Sequence, residues 1–241
     1  MKNSMRYLAV ATSLSLVMAA TVAGAALAKS SWKIKAIPVM VDPDGTQQVT
    51  AKWLSRAGLP DTPSSSKAKK PKKFKPGHAL YLSKGDATAT NASARVSILG
   101  VEGITLNEIG WDVRTDGSCS VSSPRFEVVT QDDVLHTIGC DSPTLSVTEA
   151  YTGWERRRYD LAAATPPLVA TAPEPTDPTT LDPATQVIPA SYVVKSITIV
   201  LDQGPVTDTT TGATVDPGFV YLDNIDINGL WIQKPGVAQA K

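Results

Sequence analysis

An all-β fold, built as an antiparallel sandwich or jelly roll, is the class that this 241-residue chain predicts. Helical periodicity is scarce after residue 28. Short runs of β-branched and aromatic residues recur instead, each bounded by Gly, Pro, Asp or Ser. About nine of them can be placed: QVTAKW (48–53), HALYLS (78–83), ARVSIL (94–99), ITLNEIGWDV (104–113), RFEVVT (125–130), VLHTIGC (134–140), WERRRYDL (154–161), YVVKSITIVLD (192–202) and FVYLDNIDI (219–227). Strands of that number and spacing suit two stacked antiparallel layers.

The first run is the ambiguous one. Thr46 and Gly58 could cap a short helix, but Val49, Ala51 and Trp53 alternate, which favours a strand. In ITLNEIGWDV the alternation of Ile109, Trp111 and Val113 assigns Trp111 to the core. His136 shares a face with Val134, Ile138 and Cys140 and reads as a buried or half-buried histidine. In HALYLS either face fits an interior, so Tyr81 is undecided. Trp231 follows the last run and is expected to pack on the sandwich edge or serve a partner.

Residues 1–28 have the three parts of a secretory signal: Lys2 and Arg6, then the apolar run YLAVATSLSLVMAATVAGAALA, then small residues ending Ala26-Leu27-Ala28. Cleavage there predicts a secreted protein, extracellular or periplasmic, and no later segment is apolar enough to span a bilayer. Residues 29–45 then form an N-terminal extension, 46–230 one sandwich domain and 231–241 a tail. Two segments interrupt the strand pattern, at about 61–77 and 162–190. The first packs six lysines into residues 67 to 75, and the second is rich in Pro, Thr and Ala. Neither can bury enough apolar surface to offset ordering entropy, so both are expected to be mobile insertions.

Across the full chain 23 Lys plus Arg balance 23 Asp plus Glu, and loss of Lys2 and Arg6 leaves a net charge of about −2. Bulk charge therefore gives no support for a nucleic-acid partner. Cys119 and Cys140 are the two cysteines. In an oxidising compartment they predict a disulfide, which in the chain-entropy model stabilises by roughly 3 kcal/mol for a loop of about 20 residues.

The last run carries an acid in its middle. In a regular strand Phe219, Tyr221, Asp223, Ile225 and Ile227 share one face, so Asp223 would point inward with the isoleucines. A buried carboxyl needs a partner, which can be a cation, an arginine or backbone N–H groups. A bulge near Asp223 could instead return it to solvent. This strand, an aromatic and an aliphatic followed by LDNI, resembles the last strand of galactose-binding-like jelly rolls, among them carbohydrate-binding modules of secreted bacterial enzymes. GLPD, HALYLSKGD, SPRFEVVT, IGC, GW and VKSITIVLDQG extend the resemblance upstream. It implies a jelly roll, a carbohydrate ligand and a structural calcium with Asp223 among its ligands.

No G-x-S-x-G elbow, H-E-x-x-H motif or Gly-rich phosphate loop occurs, and His78 and His136 are the two histidines. The carboxylates single out no pair for glycoside hydrolysis. In GWERRRY, alternation sets Trp154, Arg156 and Arg158 on one face, a ring beside two guanidinium groups of the kind that stacks on a sugar and bonds its hydroxyls. The same three residues would equally cover a sandwich edge and pair with acids. The expected function is a secreted noncatalytic module binding a glycan or cell-envelope polymer. The alternatives are a structural or adhesive envelope protein, for which the lysine run and the Pro/Thr-rich segment are the functional parts, and a secreted hydrolase.

Overall fold

The computed structural model describes residues 33–61, 75–85, 91–119, 123–140, 146–161, 169–171, 185–187 and 193–240. The predicted signal, the lysines of 67–73 and most of 162–190 lie outside these residues. Every described element is a strand. The first six are β1 (Lys35–Val41), β2 (Val49–Gly58), β3 (Gly77–Lys84), β4 (Ser93–Leu99), β5 (Glu108–Arg114) and β6 (Arg125–Thr130). Next come β7 (Leu135–Gly139), β8 (Ser146–Tyr151), β9 (Trp154–Asp160), β10 (Val169–Thr171), β11 (Thr185–Val187) and β12 (Val194–Leu201). The last five are β13 (Val206–Thr207), β14 (Thr214–Asp216), β15 (Phe219–Ile227), β16 (Leu230–Ile232) and β17 (Gln239–Ala240).

Two antiparallel sheets face each other, as the alternating runs predict. One has seven strands in the order β1-β4-β12-β6-β7-β10-β11. The other has eight, β17-β16-β15-β5-β9-β8, with β3 also on β15 and β2 on β3. Each of the nine predicted runs contains a strand, although ITLNEIGWDV enters β5 only at Glu108. Segments read from sequence as extension and tail add to the sheets as well: β1 pairs along its length with β4, and β16 and β17 extend the eight-stranded sheet. The Ile227–Leu230 pairing leaves Asn228 and Gly229, both at positive φ, as a two-residue hairpin turn.

The core lies between the sheets. Trp111 of β5 and Phe126 of β6 stack across it with centroids 4.2 Å apart, and Trp111 is fully buried as its alternation predicts. The Tyr159 hydroxyl donates to the Gly139 carbonyl at 2.7 Å, joining β9 to the end of β7. The predicted Cys119–Cys140 disulfide is present, its Cα atoms 5.2 Å apart, and ties the turn after β5 to the end of the β6–β7 hairpin. On the first edge, Ala36 of β1 accepts a hydrogen bond from Trp53 Nε1 (3.4 Å), and Pro38 has no N–H to offer. A partly capped edge resists pairing with another strand.

Candidate functional site

The acid in β15 sits where its sheet splits. The first half of β15 pairs with β3, from Phe219↔Ser83 to Leu222↔Leu80, and the second half pairs with β16, from Ile225↔Ile232 to Ile227↔Leu230. Between them the register against β5 shifts, and Asn224 has φ of 42°. This is a bulge, and asparagine is among the side chains that tolerate the left-handed region. The extra residue flips the alternation. Val220, Leu222, Ile225 and Ile227 all enter the core, and Asp223 goes to the outer face of the eight-stranded sheet. The sequence-based expectation of an inward Asp223 beside the isoleucines is corrected accordingly. It remains only 1% exposed because the end of the β2–β3 hairpin covers it.

Two side chains close the split. Asp223 Oδ2 accepts the Leu59 N–H at 2.6 Å, while Oδ1 accepts the Asn224 N–H at 2.6 Å. Asn224 bonds the other way, its Oδ1 accepting from Gln233 Nε2 and its Nδ2 donating to Asp112 Oδ2, both at 2.7 Å. Gly58 makes the close approach possible. A Cβ there would lie 1.9 Å from the His78 carbonyl oxygen and 2.5 Å from Asp223 Oδ2. Burial pushes the Asp223 carboxyl up to about 8 against the pull of its two N–H bonds, and the neighbouring Asp112 and Asp61 charges add to the rise.

Beside the split lies a buried charge network. Arg156 grips Asp112 with two bonds, Nε to Oδ1 at 2.9 Å and Nη2 to Oδ2 at 2.8 Å. Arg158 reaches Asp112 Oδ1 at 3.1 Å and Asp226 Oδ2 at 3.0 Å, and donates to the Trp111 carbonyl at 2.6 Å. It lies flat because position 110 is glycine, where a Cβ would meet the Arg158 Cδ at 2.7 Å. Trp231 roofs the group: its Nε1 donates to Asp226 Oδ2 at 3.0 Å, and its ring lies 4.9 Å from the Arg156 guanidinium. The hydrogen bonds to Asp112, opposed by partial burial, hold the Arg156 guanidinium above its ordinary value.

Trp154, Arg156 and Arg158 thus share the outer face, as their spacing requires. Trp154 is 7% exposed in a small apolar cluster with Leu59 and Ala79, and Arg158 is buried against two carboxylates. Arg156 is the accessible member, its side chain 33% exposed.

A second group on the same face was not singled out by sequence. Directly opposed residues across four strands are Lys52 and Tyr81, Tyr81 and Tyr221, and, by the β15–β5 register, Tyr221 and Arg114. The Tyr81 and Tyr221 centroids are 4.9 Å apart, Phe219 is 6.3 Å from Tyr81, and all three rings are half-buried. Arg114 lies 3.4 Å from the Tyr221 centroid, its side chain 28% exposed and bonded to Asp116 at 2.6 Å. Lys52 is exposed. The signal was the alternation in HALYLS: once Leu80 and Leu82 fill the core, Tyr81 must face out.

The surroundings of Asp223 suit the backbone-partner alternative. The contacts made by Asp223 are two backbone N–H donors, those of Leu59 and Asn224. His78 Nδ1 lies 2.8 Å from Asp61 Oδ2 and its N–H donates to Asp61 Oδ1, which closes the β2–β3 hairpin. His136 is buried with Nε2 3.4 Å from the Thr130 hydroxyl, and burial lowers its pKa. Comparison of the chain with protein-family models, with curated proteins and with solved structures gives no match.

Proposed function

We propose that this chain is a secreted, noncatalytic binding module of jelly-roll type whose outer sheet face takes a glycan. The observation that carries the reading is the cluster of half-buried rings, Phe219, Tyr81 and Tyr221, on the outer face of the sheet, with the Arg114 guanidinium lying over the Tyr221 ring. Flat apolar surfaces with polar groups at their rim suit the faces and hydroxyls of pyranose rings. Strand order supports the jelly-roll part. Apart from the β6–β7 hairpin, the strands of the runs β3-β15-β5-β9 and β4-β12-β6-β7 alternate between the two sheets along the chain, as in two interlocked Greek keys. The signal-like residues 1–28 and the disulfide support secretion.

Retention on insoluble polysaccharides tests the reading. A few stacked rings with polar neighbours support affinities of about 4 to 6 kcal/mol, so a dense immobilised polymer is a better probe than a monosaccharide. Parent protein should be retained on at least one of cellulose, chitin, xylan and pectin, and a folded Tyr81→Ala variant should lose that retention. Parent protein that passes through all four, or Tyr81→Ala that binds as the parent does, overturns the assignment.

A further inference from the structure

We propose that the glycan taken by this face is acidic, a polyuronate or similarly charged polymer, and that Lys52 and Arg114 read its charge; the inference rests on the binding face proposed above. Register places the two cations on either side of the tyrosines, Lys52 directly opposite Tyr81 on β2 and Arg114 opposite Tyr221 on β5. A sugar lying on Tyr81 would meet Lys52 on one side and, over Tyr221, Arg114 on the other.

The acids of this face nearest the rings are already committed, and Glu108 and Asp160 lie at the other end of β5 and β9. Asp112 and Asp226 are buried and bonded to Arg156 and Arg158, and Asp223 is buried against backbone N–H groups. Asp116 is the exposed acid next to the rings, and its partner Arg114 keeps further N–H donors beyond the single Nε bond to it. Lys52 has no carboxylate within ion-pair distance among the described residues. Lys52 therefore brings to the rings a positive charge that none of these carboxylates offsets at ion-pair distance, although the chain as a whole is close to neutral.

Guanidinium geometry sharpens the choice. With its guanidinium carbon 3.4 Å from the Tyr221 centroid and its Nε bonded to Asp116, Arg114 is held in place before any ligand arrives. A preset planar fork suits a carboxylate better than a hydroxyl, because two parallel N–H groups can bond both oxygens. Lys52, flexible and hydrated, adds attraction at longer range without fixing orientation.

Pectin provides matched probes, since de-esterified and fully methyl-esterified forms share one backbone and differ in charge. Full-length mature protein should bind immobilised de-esterified pectin more tightly than the methyl ester, and the difference should shrink in 0.5 M salt. A Lys52→Gln, Arg114→Gln double variant, shown folded by circular dichroism, should bind de-esterified pectin about twofold to tenfold more weakly, the range that two exposed ion pairs supply. Equal binding of the two pectins, or a double variant that keeps the parent's preference, overturns the acidic assignment. Retention on cellulose, chitin or xylan with none on either pectin overturns it too while leaving the wider glycan reading in place, and no retention on any polymer removes both.

Discussion

The Leu59 N–H donates to Asp223 Oδ2 at 2.6 Å, across 164 residues of sequence. That bond fastens the end of the β2–β3 hairpin over the point where β15 changes partners from β3 to β16. An acid belongs in the middle of this strand because on the side away from β5, between the end of β3 and the start of β16, no strand pairs with it. Asp223→Ala removes acceptors from two buried N–H groups and should destabilise the fold by about 2 to 4 kcal/mol. Urea denaturation of variant and parent measures it. Excess EDTA should leave the parent's melting temperature unchanged, since the carboxyl is engaged by N–H groups; a chelator-induced drop would assign it a metal instead.

The same carboxyl predicts a pH dependence. Its folded-state pKa of about 8 lies above the unfolded value of roughly 3.9. Between those values the folded chain keeps a proton that the unfolded chain has lost. The stabilisation is therefore complete below about pH 4 and is lost as pH rises through 8. Thermal stability should fall between pH 5 and pH 8 and level off above, and Asp223→Asn should fall less. An identical profile for Asp223→Asn would show that another group sets the slope.

Arg158 should be the costliest arginine to replace. It is buried and serves both Asp112 and Asp226, and truncation leaves buried carboxylates short of a partner. Arg158→Ala should cost about 3 to 5 kcal/mol. Arg156→Ala should cost less, because its side chain is one-third exposed and Arg158 still serves Asp112. Equal losses in denaturant titrations would contradict this division.

Two aromatic residues of the outer face should behave oppositely. Trp154 is packed against Leu59 and Ala79, so Trp154→Ala opens a cavity and should cost about 3 kcal/mol or more. Tyr81 is half-buried, and Tyr81→Ala should cost less stability than Trp154→Ala. Melting curves of the two variants side by side decide it.

Removing the disulfide should cost roughly 3 kcal/mol, since Cys119 and Cys140 join turns belonging to opposite sheets. Cys119→Ser with Cys140→Ser, compared with oxidised parent by denaturant titration, measures the effect. Mass spectrometry of unreduced protein should find neither thiol free.

The strands and much of the core can be read from residue order alone. Alternation in EIGWDV and ITIVL depends only on neighbours two residues apart, and a sheet with one buried face enforces that period wherever the strand is regular. Residue order also placed Trp154, Arg156 and Arg158 on one face and paired the cysteines. Asn228-Gly229 between apolar residues was a readable hairpin signal, and it accounts for β16 and the position of Trp231. Long-range packing sets the rest, first of all at β15. A one-residue bulge at Asn224 reverses every later side chain, and no local pattern reveals it because LDNID is compatible with either register. Whether Trp154 is a ligand platform or packing depended on Leu59, which arrives from a strand at the far side of the sheet. Burial of a face is a property of whatever folds over it, and that chain segment lies about a hundred residues away.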